Sequence, residues 1–357
     1  MNNIRKIVAL CLFLIPLYAG YTLAEDCIEK RYVFELGSGT SRMTTYLFNK
    51  CQGNIIKEVE HLSKKMAYQV CVSISPDKKI DEDCIKKGIA TINEMKKLNQ
   101  VDCKSSKCTG FATAWARKAS NTSEVLKEIE DSTDVHIYAI SQEEEAKIAY
   151  VVTQEILLQK GEITIDDPNI LLIDIGGGSY QITTVDPKTK RNLIYKGNIG
   201  TEILTQEMKV RFPQKKASMI ECSSLNDIYK FYDNKVRKTL SEDKAIMSLI
   251  KNNPEMKAYG VGGGIVSGLN VEFALASPVK LKDLEKINQE ICGMSFDKVA
   301  SLYPKRKVEY MKTTQAMFFL LHAIMKGLGI TEMHVASNAN PSYYIVKKDE
   351  YWNHLNQ

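Results

Sequence analysis

Residues 173–182 read IDIGGGSYQI, and residues 34–43 read FELGSGTSRM. Both stretches follow one plan: an apolar strand, a carboxylate, an apolar residue, a turn that contains at least two glycines, a hydroxyl side chain and a second strand. Each stretch is therefore predicted to form a β-hairpin with a glycine-rich turn. Because the plan occurs twice, the sequence predicts two related halves.

The elements predicted after each hairpin also repeat. A third strand follows the hairpin, and helices then alternate with strands up to a helix that begins at Gln142. The series starts again at Ile170. This repeated βββαβα order predicts an α/β protein with a cleft between two halves.

The two turns have the composition of a phosphate-binding site. Glycine lets the backbone approach a ligand closely, and successive amides in such a turn form an anion-binding nest. The acids that precede the turns, Glu35 and Asp174, are placed to hold Mg²⁺ beside the phosphate. Each turn taken alone also fits an ordinary tight hairpin, but the acid at the same offset in both favours ligand binding. The predicted phosphate-binding residues are Gly37, Ser38, Gly39, Thr40, Gly176, Gly177, Gly178 and Ser179.

Two further clusters are candidates for the same site. A third glycine cluster, with Gly262, Gly263 and Gly264, follows a short predicted strand and precedes a helix-compatible stretch, which favours contact with a nucleotide or a distal phosphate. The acids Glu143 to Glu145 open the helix that begins at Gln142. They either complement the helix dipole or include one carboxylate that deprotonates an attacking water.

The first 24 residues have the parts of a secretory signal peptide: a basic start, an apolar run and small residues before a cleavage point after Ala24. The apolar run is short compared with the ~20 residues of a membrane span, which disfavours an uncleaved anchor. We therefore expect a secreted or periplasmic protein with no stable membrane span after cleavage. Eight cysteines remain in the mature chain, six of them before residue 110, and their even number predicts disulfides concentrated in the N-terminal half.

Composition excludes several classes. With 44% hydrophobic and 25% charged residues, the chain is neither wholly disordered, nor collagen-like, nor a multi-span membrane protein. Its net charge of +5 is too small a bias to indicate nucleic acid as a partner. A length of 357 residues suggests two domains.

The quoted hairpins, the stretch at 112–121, the acid cluster after Ser141 and the glycine cluster at 260–264 occur in the order seen in one family. The chain resembles the exopolyphosphatase/guanosine pentaphosphatase family of the actin-like ATPase and sugar kinase superfamily. The resemblance implies two RNase H-like lobes with a phosphate-binding cleft between them. It also implies Mg²⁺-dependent hydrolysis of polyphosphate or nucleoside polyphosphates by water, and a homodimer is a possible assembly.

Site roles follow from the resemblance position by position. Asp174 becomes the chief Mg²⁺ ligand, with Glu35 as the second metal residue. Arg117 falls on the arginine of the family's helix motif, and Glu143 is our choice for the catalytic base, with Glu145 as the alternative. Residues 27–141 form lobe I and 142–339 form lobe II, and the C-terminal segment 340–357 is a candidate to complete lobe I.

The chain departs from the family pattern at several positions. Glu35 replaces an aspartate, Ala114 stands where some members have a catalytic glutamate, and Gln181 replaces a carboxylate after the second turn. These departures leave an alternative open: a catalytically degenerate protein that binds phosphate or nucleotide as a secreted binding or host-directed factor.

Overall fold

The computed structural model describes residues 27–164, 169–212, 224–305, 310–337 and 339–356. The segment interpreted as a signal peptide, 1–24, lies outside them. Two β-sheets form two lobes, which confirms the fold class expected from the repeated element order. Within the described ranges, no helix combines the length and apolar character needed to cross a bilayer.

The first lobe contains a five-stranded sheet with the order β3-β2-β1-β4-β5. Its strands are β1 (Ile28–Leu36), β2 (Thr40–Asn49), β3 (Asn54–Lys65), β4 (Lys107–Ala112) and β5 (Ile137–Ala139). Its helices are α1 (Tyr68–Ile74), α2 (Glu82–Leu98), α3 (Ala114–Lys118) and α4 (Thr122–Thr133). The helix α5 (Gln142–Gln159) leads to the second lobe.

The second lobe contains a six-stranded sheet with the order β10-β11-β9-β6-β7-β8. Its strands are β6 (Ile170–Ile175), β7 (Tyr180–Val185), β8 (Asn192–Gly197), β9 (Lys257–Val261), β10 (Val279–Lys280) and β11 (Glu332–Val335). Its helices are α6 (Thr201–Arg211), α7 (Leu225–Glu242), α8 (Lys244–Asn252), α9 (Leu281–Ile291), α10 (Phe296–Leu302) and α11 (Met311–Leu328), with a π-helix at Gly264–Glu272.

The two sheets share one topology. β1 and β6 each pair antiparallel with the next strand of their hairpin and parallel with a strand on the other side. β6 is apolar apart from Asp174, and the buried second half of β1, from Tyr32 to Leu36, is apolar apart from Glu35. Glu35 and Asp174 therefore stand at equivalent positions, at the carboxyl ends of the two central strands.

Helix α5 is buried on two sides. Ile148 and Val152 pack in a cluster with strands of the first sheet, whereas Ala149 and Leu157 pack with strands of the second. Helix α5 therefore packs against both lobes. The sequence alone predicts that this helix belongs to lobe II, which begins at residue 142.

The C-terminal segment packs on the first lobe. It contains α12 (Ser342–Ile345) and a 3₁₀-helix (Asp349–Asn356). Tyr351 and Trp352 join a buried cluster with Val33 and Phe111 of the first sheet, and the Thr109 hydroxyl donates to the Tyr351 carbonyl. These contacts support the proposal that residues 340–357 complete lobe I.

Three disulfides lie in the first lobe, as the cysteine distribution predicted: Cys27–Cys51, Cys71–Cys84 and Cys103–Cys108. Cys292, in the second lobe, is also disulfide-bonded. The Cys71–Cys84 bond ties α1 to α2. The backbone amides of Met66, just before α1, and of Gln69, within it, donate to the carbonyls of Gly39 and Ser38 in the first glycine turn.

Candidate active site

A cavity of about 450 Å³ lies between the lobes, beneath both glycine turns. The predicted phosphate-binding and metal residues all line it, as do the three glycines at 262–264 and Glu145. The structure thus brings together nearly all the site residues that the sequence predicts: Glu35, Gly37, Ser38, Gly39, Thr40, Glu145, Asp174, Gly176, Gly177, Gly178, Ser179, Gly262, Gly263 and Gly264.

The two turns touch each other. A Cβ atom built on Gly177 would lie 3.1 Å from the Gly39 amide nitrogen and 3.2 Å from the Ser38 Cβ. A Cβ on Gly178 would lie 2.6 Å from the Ser38 hydroxyl oxygen, which is buried and has no hydrogen-bond partner within the described structure. Side chains at these glycines would push the lobes apart, and the Ser38 hydroxyl remains available to a ligand.

Five carboxylates line the cavity: Glu35, Glu145, Asp174, Glu202 and Glu272. Three of those beside the glycine turns pair with a cation. Glu35 pairs with Arg42 at 2.5 Å. Glu145 pairs with Arg117 at 2.8 Å. Glu202 pairs with Lys65. Asp174 makes no ion pair within the part of the chain that the structure describes.

Hairpin register explains this difference. Arg42 stands directly across the first hairpin from Glu35, whereas the neutral Gln181 stands across the second hairpin from Asp174. Burial raises the pKa of Asp174 to about 7, the charges of Glu145 and Glu35 add to the shift, and Arg42 opposes it. A divalent cation would relieve this unpaired negative charge.

The donor set fits Mg²⁺. Among the described residues, no group of three or more His, Cys, Asp or Glu side chains is arranged to enclose a metal. Mg²⁺ is usually held by one or two carboxylates together with substrate phosphates, and it keeps several waters. Asp174 can supply the principal ligand and Glu35 a second one, beside turns that bind the phosphates.

Asp174→Asn is expected to raise the melting temperature at pH 8. The pKa of Asp174 is higher in the folded chain than its ordinary value of 3.8, so the folded state binds more protons between pH 3.8 and about 7 and stability falls as the pH rises through that window. Asparagine removes this cost, which we expect to be on the order of 1–3 kcal/mol. Thermal unfolding from pH 4 to pH 8 without divalent cations measures it: the advantage of the variant should vanish near pH 4. If the variant is more stable than the parent by the same amount at pH 4 and at pH 8, the raised pKa of Asp174 is contradicted.

A second network connects the lobes behind the turns. Arg117 donates to Glu145 at 2.8 Å and to the Ser179 hydroxyl at 3.2 Å. Gln181 donates to the same two acceptors at 3.3 and 3.1 Å. Arg117 therefore acts on the cavity through Glu145 and Ser179, and Gln181 adds a donor where a carboxylate would repel Glu145.

The three consecutive acids of α5 have three different environments. Glu143 is half-exposed and pairs with Lys147 and Lys196 outside the cavity. Glu144 completes a capping box with Ser141. Glu145 faces the cavity, and burial raises its pKa despite the opposing charge of Arg117. Glu143, our choice for the base, thus lies outside the cavity lining, whereas Glu145, the alternative, lines it, because residues two positions apart on a helix point about 200° apart.

Gly262 requires glycine for two reasons. Its φ is +91°, and a Cβ there would lie 2.8 Å from the Asp174 Oδ1 atom and 2.9 Å from the Ile175 carbonyl oxygen. The π-helix that follows carries Gly264 and places the third glycine cluster against the cavity.

Gly262→Ala is expected to destabilise the fold by about 1–2 kcal/mol and to impair any activity that depends on Asp174, since the methyl group displaces that side chain. Gly161→Ala is the matched control, because Gly161 has φ of +68° with nothing within 4 Å of a built Cβ. Thermal unfolding and activity are measured for both variants. If the two variants are equally active, the close approach of residue 262 to Asp174 does not matter for activity.

The cavity lining includes charged residues that were not predicted from the sequence, among them Arg42, Lys65 and Glu202. Arg42 could have been found, because antiparallel pairing across a tight hairpin places it opposite Glu35. Lys65 and Glu202 are 137 positions apart and carry no local signal.

Two RNase H-like lobes that close on a phosphate-binding cleft define the actin-like ATPase fold. Within that class, the chain belongs to the Ppx/GppA phosphatase family, whose model matches residues 59–339. The matched range begins after the first hairpin.

Solved structures show the same architecture. A Ppx/GppA family member from Aquifex aeolicus superposes with a TM-score of 0.62 at 16% identity, covering 89% of this chain and 97% of its own. An exopolyphosphatase from Cytophaga hutchinsonii superposes with a TM-score of 0.62 at 13% identity, covering 86% of this chain and 93% of its own. At these identities the likeness concerns the fold. A search of curated proteins found no match.

Proposed function

We propose that the chain is an exported, Mg²⁺-dependent phosphoanhydride hydrolase. It removes the terminal phosphate from polyphosphate or from nucleoside polyphosphates by attack of water. The observation that carries the proposal is Asp174, which lies between two glycine turns and has no ion-pair partner among the described residues, whereas Glu35, Glu145 and Glu202 each pair with a cation.

Each group of residues in the cavity has its own role in this reaction. The turn amides and the Ser38 and Ser179 hydroxyls bind and orient the phosphate oxygens. When bound, Mg²⁺ neutralises charge on the phosphates. Glu145 accepts a proton from the attacking water, whose oxygen bonds to phosphorus as the bridging oxygen leaves. Arg117 holds Glu145 and Ser179 in their relative positions.

A panel of substrates tests this proposal. Purified protein is incubated with long-chain polyphosphate, tripolyphosphate, nucleoside triphosphates or guanosine pentaphosphate, with Mg²⁺ or with a chelator. Orthophosphate release that requires Mg²⁺ supports the proposal. The substrate from which phosphate is released fastest identifies the substrate class. No release from any of these substrates would overturn it. The N-terminal sequence of protein recovered outside the cytoplasm tests export, with a start at Glu25 expected.

One observation favours a second candidate, a binding protein without turnover. The Glu35 carboxylate is engaged by Arg42, and Ala114 presents only a methyl group against Gly178. Calorimetry that shows tight binding of tripolyphosphate by a chain that releases no phosphate would establish this candidate, and turnover would exclude it.

A further inference from the structure

The ion pair between Lys65 and Glu202 joins the two lobes inside the cavity. Lys65 is the last residue of β3 in the first lobe, and Glu202 lies in the first turn of α6 in the second. Both side chains line the cavity, with Glu202 only 7% exposed and Lys65 26% exposed. This pair is therefore part of the substrate's surroundings.

The Glu202 carboxylate lies where the two glycine turns meet. A Cβ built on Gly39 would be 2.8 Å from its Oε1 atom, and a Cβ built on Gly177 would be 3.2 Å from its Cγ. The Glu202 side chain thus lies against both glycine turns, and its carboxylate pairs with a lysine beside the first, surroundings that suit a phosphate oxygen.

We propose that Glu202 is a built-in anion that holds Lys65 in the cavity of the free protein, and that Lys65 exchanges this carboxylate for a phosphate oxygen of the substrate. The inference rests on the proposed function and deepens it, because it assigns a further substrate-binding residue and a preference for highly charged phosphate chains.

Charge and flexibility make the exchange feasible. Lysine is a point charge on a four-carbon stem, so its ammonium group can turn from one anion to another without backbone movement. A phosphate group carries more negative charge than a carboxylate and attracts the ammonium group more strongly at equal distance. Separating Lys65 from Glu202 costs the same for every ligand, and a ligand of low charge offsets that cost less than a highly charged one does.

A static ion pair that only fastens the lobes would behave differently. Its two partners would be equivalent, so removing either charge would weaken ligand binding to a similar degree. Exchange makes the partners unequal: Lys65 attracts the substrate, and Glu202 competes with it.

Binding of inorganic tripolyphosphate, measured by calorimetry with Mg²⁺ in a Glu145→Gln background that suppresses turnover, tests the inference. Lys65→Met should weaken binding by about 10- to 100-fold, the loss of one charge-assisted hydrogen bond. Lys65→Arg should restore most of the affinity. Glu202→Gln should bind as tightly as the parent or up to about tenfold more tightly, because it removes a competing anion.

Lys64 and Glu94 supply the matched control. They form a neighbouring ion pair at 2.6 Å that is well exposed, and Lys64→Met should leave the affinity unchanged. Thermal unfolding confirms that each variant is folded. Unchanged binding by Lys65→Met, or equal weakening by Lys65→Met and Glu202→Gln, would overturn the inference. If the parental chain releases phosphate normally in these cases, the proposed hydrolase function still stands.

Discussion

Asp174→Ala is expected to lower kcat for Mg²⁺-dependent orthophosphate release by about 10³-fold or more, since a metal ion contributes several kcal/mol to such a reaction. Asp174 has no ion-pair partner in the described structure, and its pKa is raised to about 7 by burial and by nearby carboxylates. For this reason we propose its carboxylate as the principal ligand for Mg²⁺. The measurement is initial-rate phosphate release over a series of Mg²⁺ concentrations.

The control for this variant is Asp131→Asn, because Asp131 is exposed on α4 and pairs only with Lys127. Its activity should match that of the parent protein. Asp174→Asn is expected to be more stable than the parent at pH 8. If Asp174→Ala loses activity while Asp174→Asn is stable, the loss reflects the function of Asp174 and not a failure to fold. Activity of Asp174→Ala within a few-fold of the parent would contradict the metal site proposed here.

Glu145→Gln is expected to lower kcat by about 10²- to 10⁴-fold, the usual contribution of a general base, with a smaller effect on KM. Burial raises the pKa of this carboxylate, so it accepts a proton from water more readily than an exposed glutamate does. Glutamine keeps the shape of the side chain and a hydrogen-bond acceptor for Arg117. Single-turnover release of phosphate measures the chemical step.

Glu143→Gln is the matched control on the same helix. Its side chain is half-exposed and contacts Lys147 and Lys196, so the substitution should change kcat by less than about twofold. The reverse pattern, with Glu143→Gln inactive and Glu145→Gln active, would restore our sequence-based choice and refute the assignment drawn from the structure.

The contrast between these two glutamates shows where sequence reasoning stops. The sequence places three acids at the start of a helix, but it does not give the rotation of that helix about its axis. That rotation depends on how α5 packs against both sheets at once, with Ile148 facing one cluster and Ala149 the other. Only these contacts turn Glu145 toward the cavity.

Arg42 illustrates an intermediate case. The hairpin prediction already implies an antiparallel register, and that register places Arg42 opposite Glu35. The residue lay within the quoted stretch and could have been assigned. The contact itself, an ion pair of Arg42 with Glu35 while Asp174 faces the neutral Gln181, supports the earlier choice of Asp174 over Glu35 as the chief metal ligand.

By itself, the sequence determined the two glycine hairpins, the acid before each turn, the repeated element order and the concentration of cysteines in the first half. These features follow from residues close together in the chain, since backbone conformation and strand alternation are local properties. The tertiary structure decided which acids have cations, which glutamate faces the cavity and how Lys65 meets Glu202 across 137 positions. Those properties depend on charge and burial, which arise only when distant segments pack together.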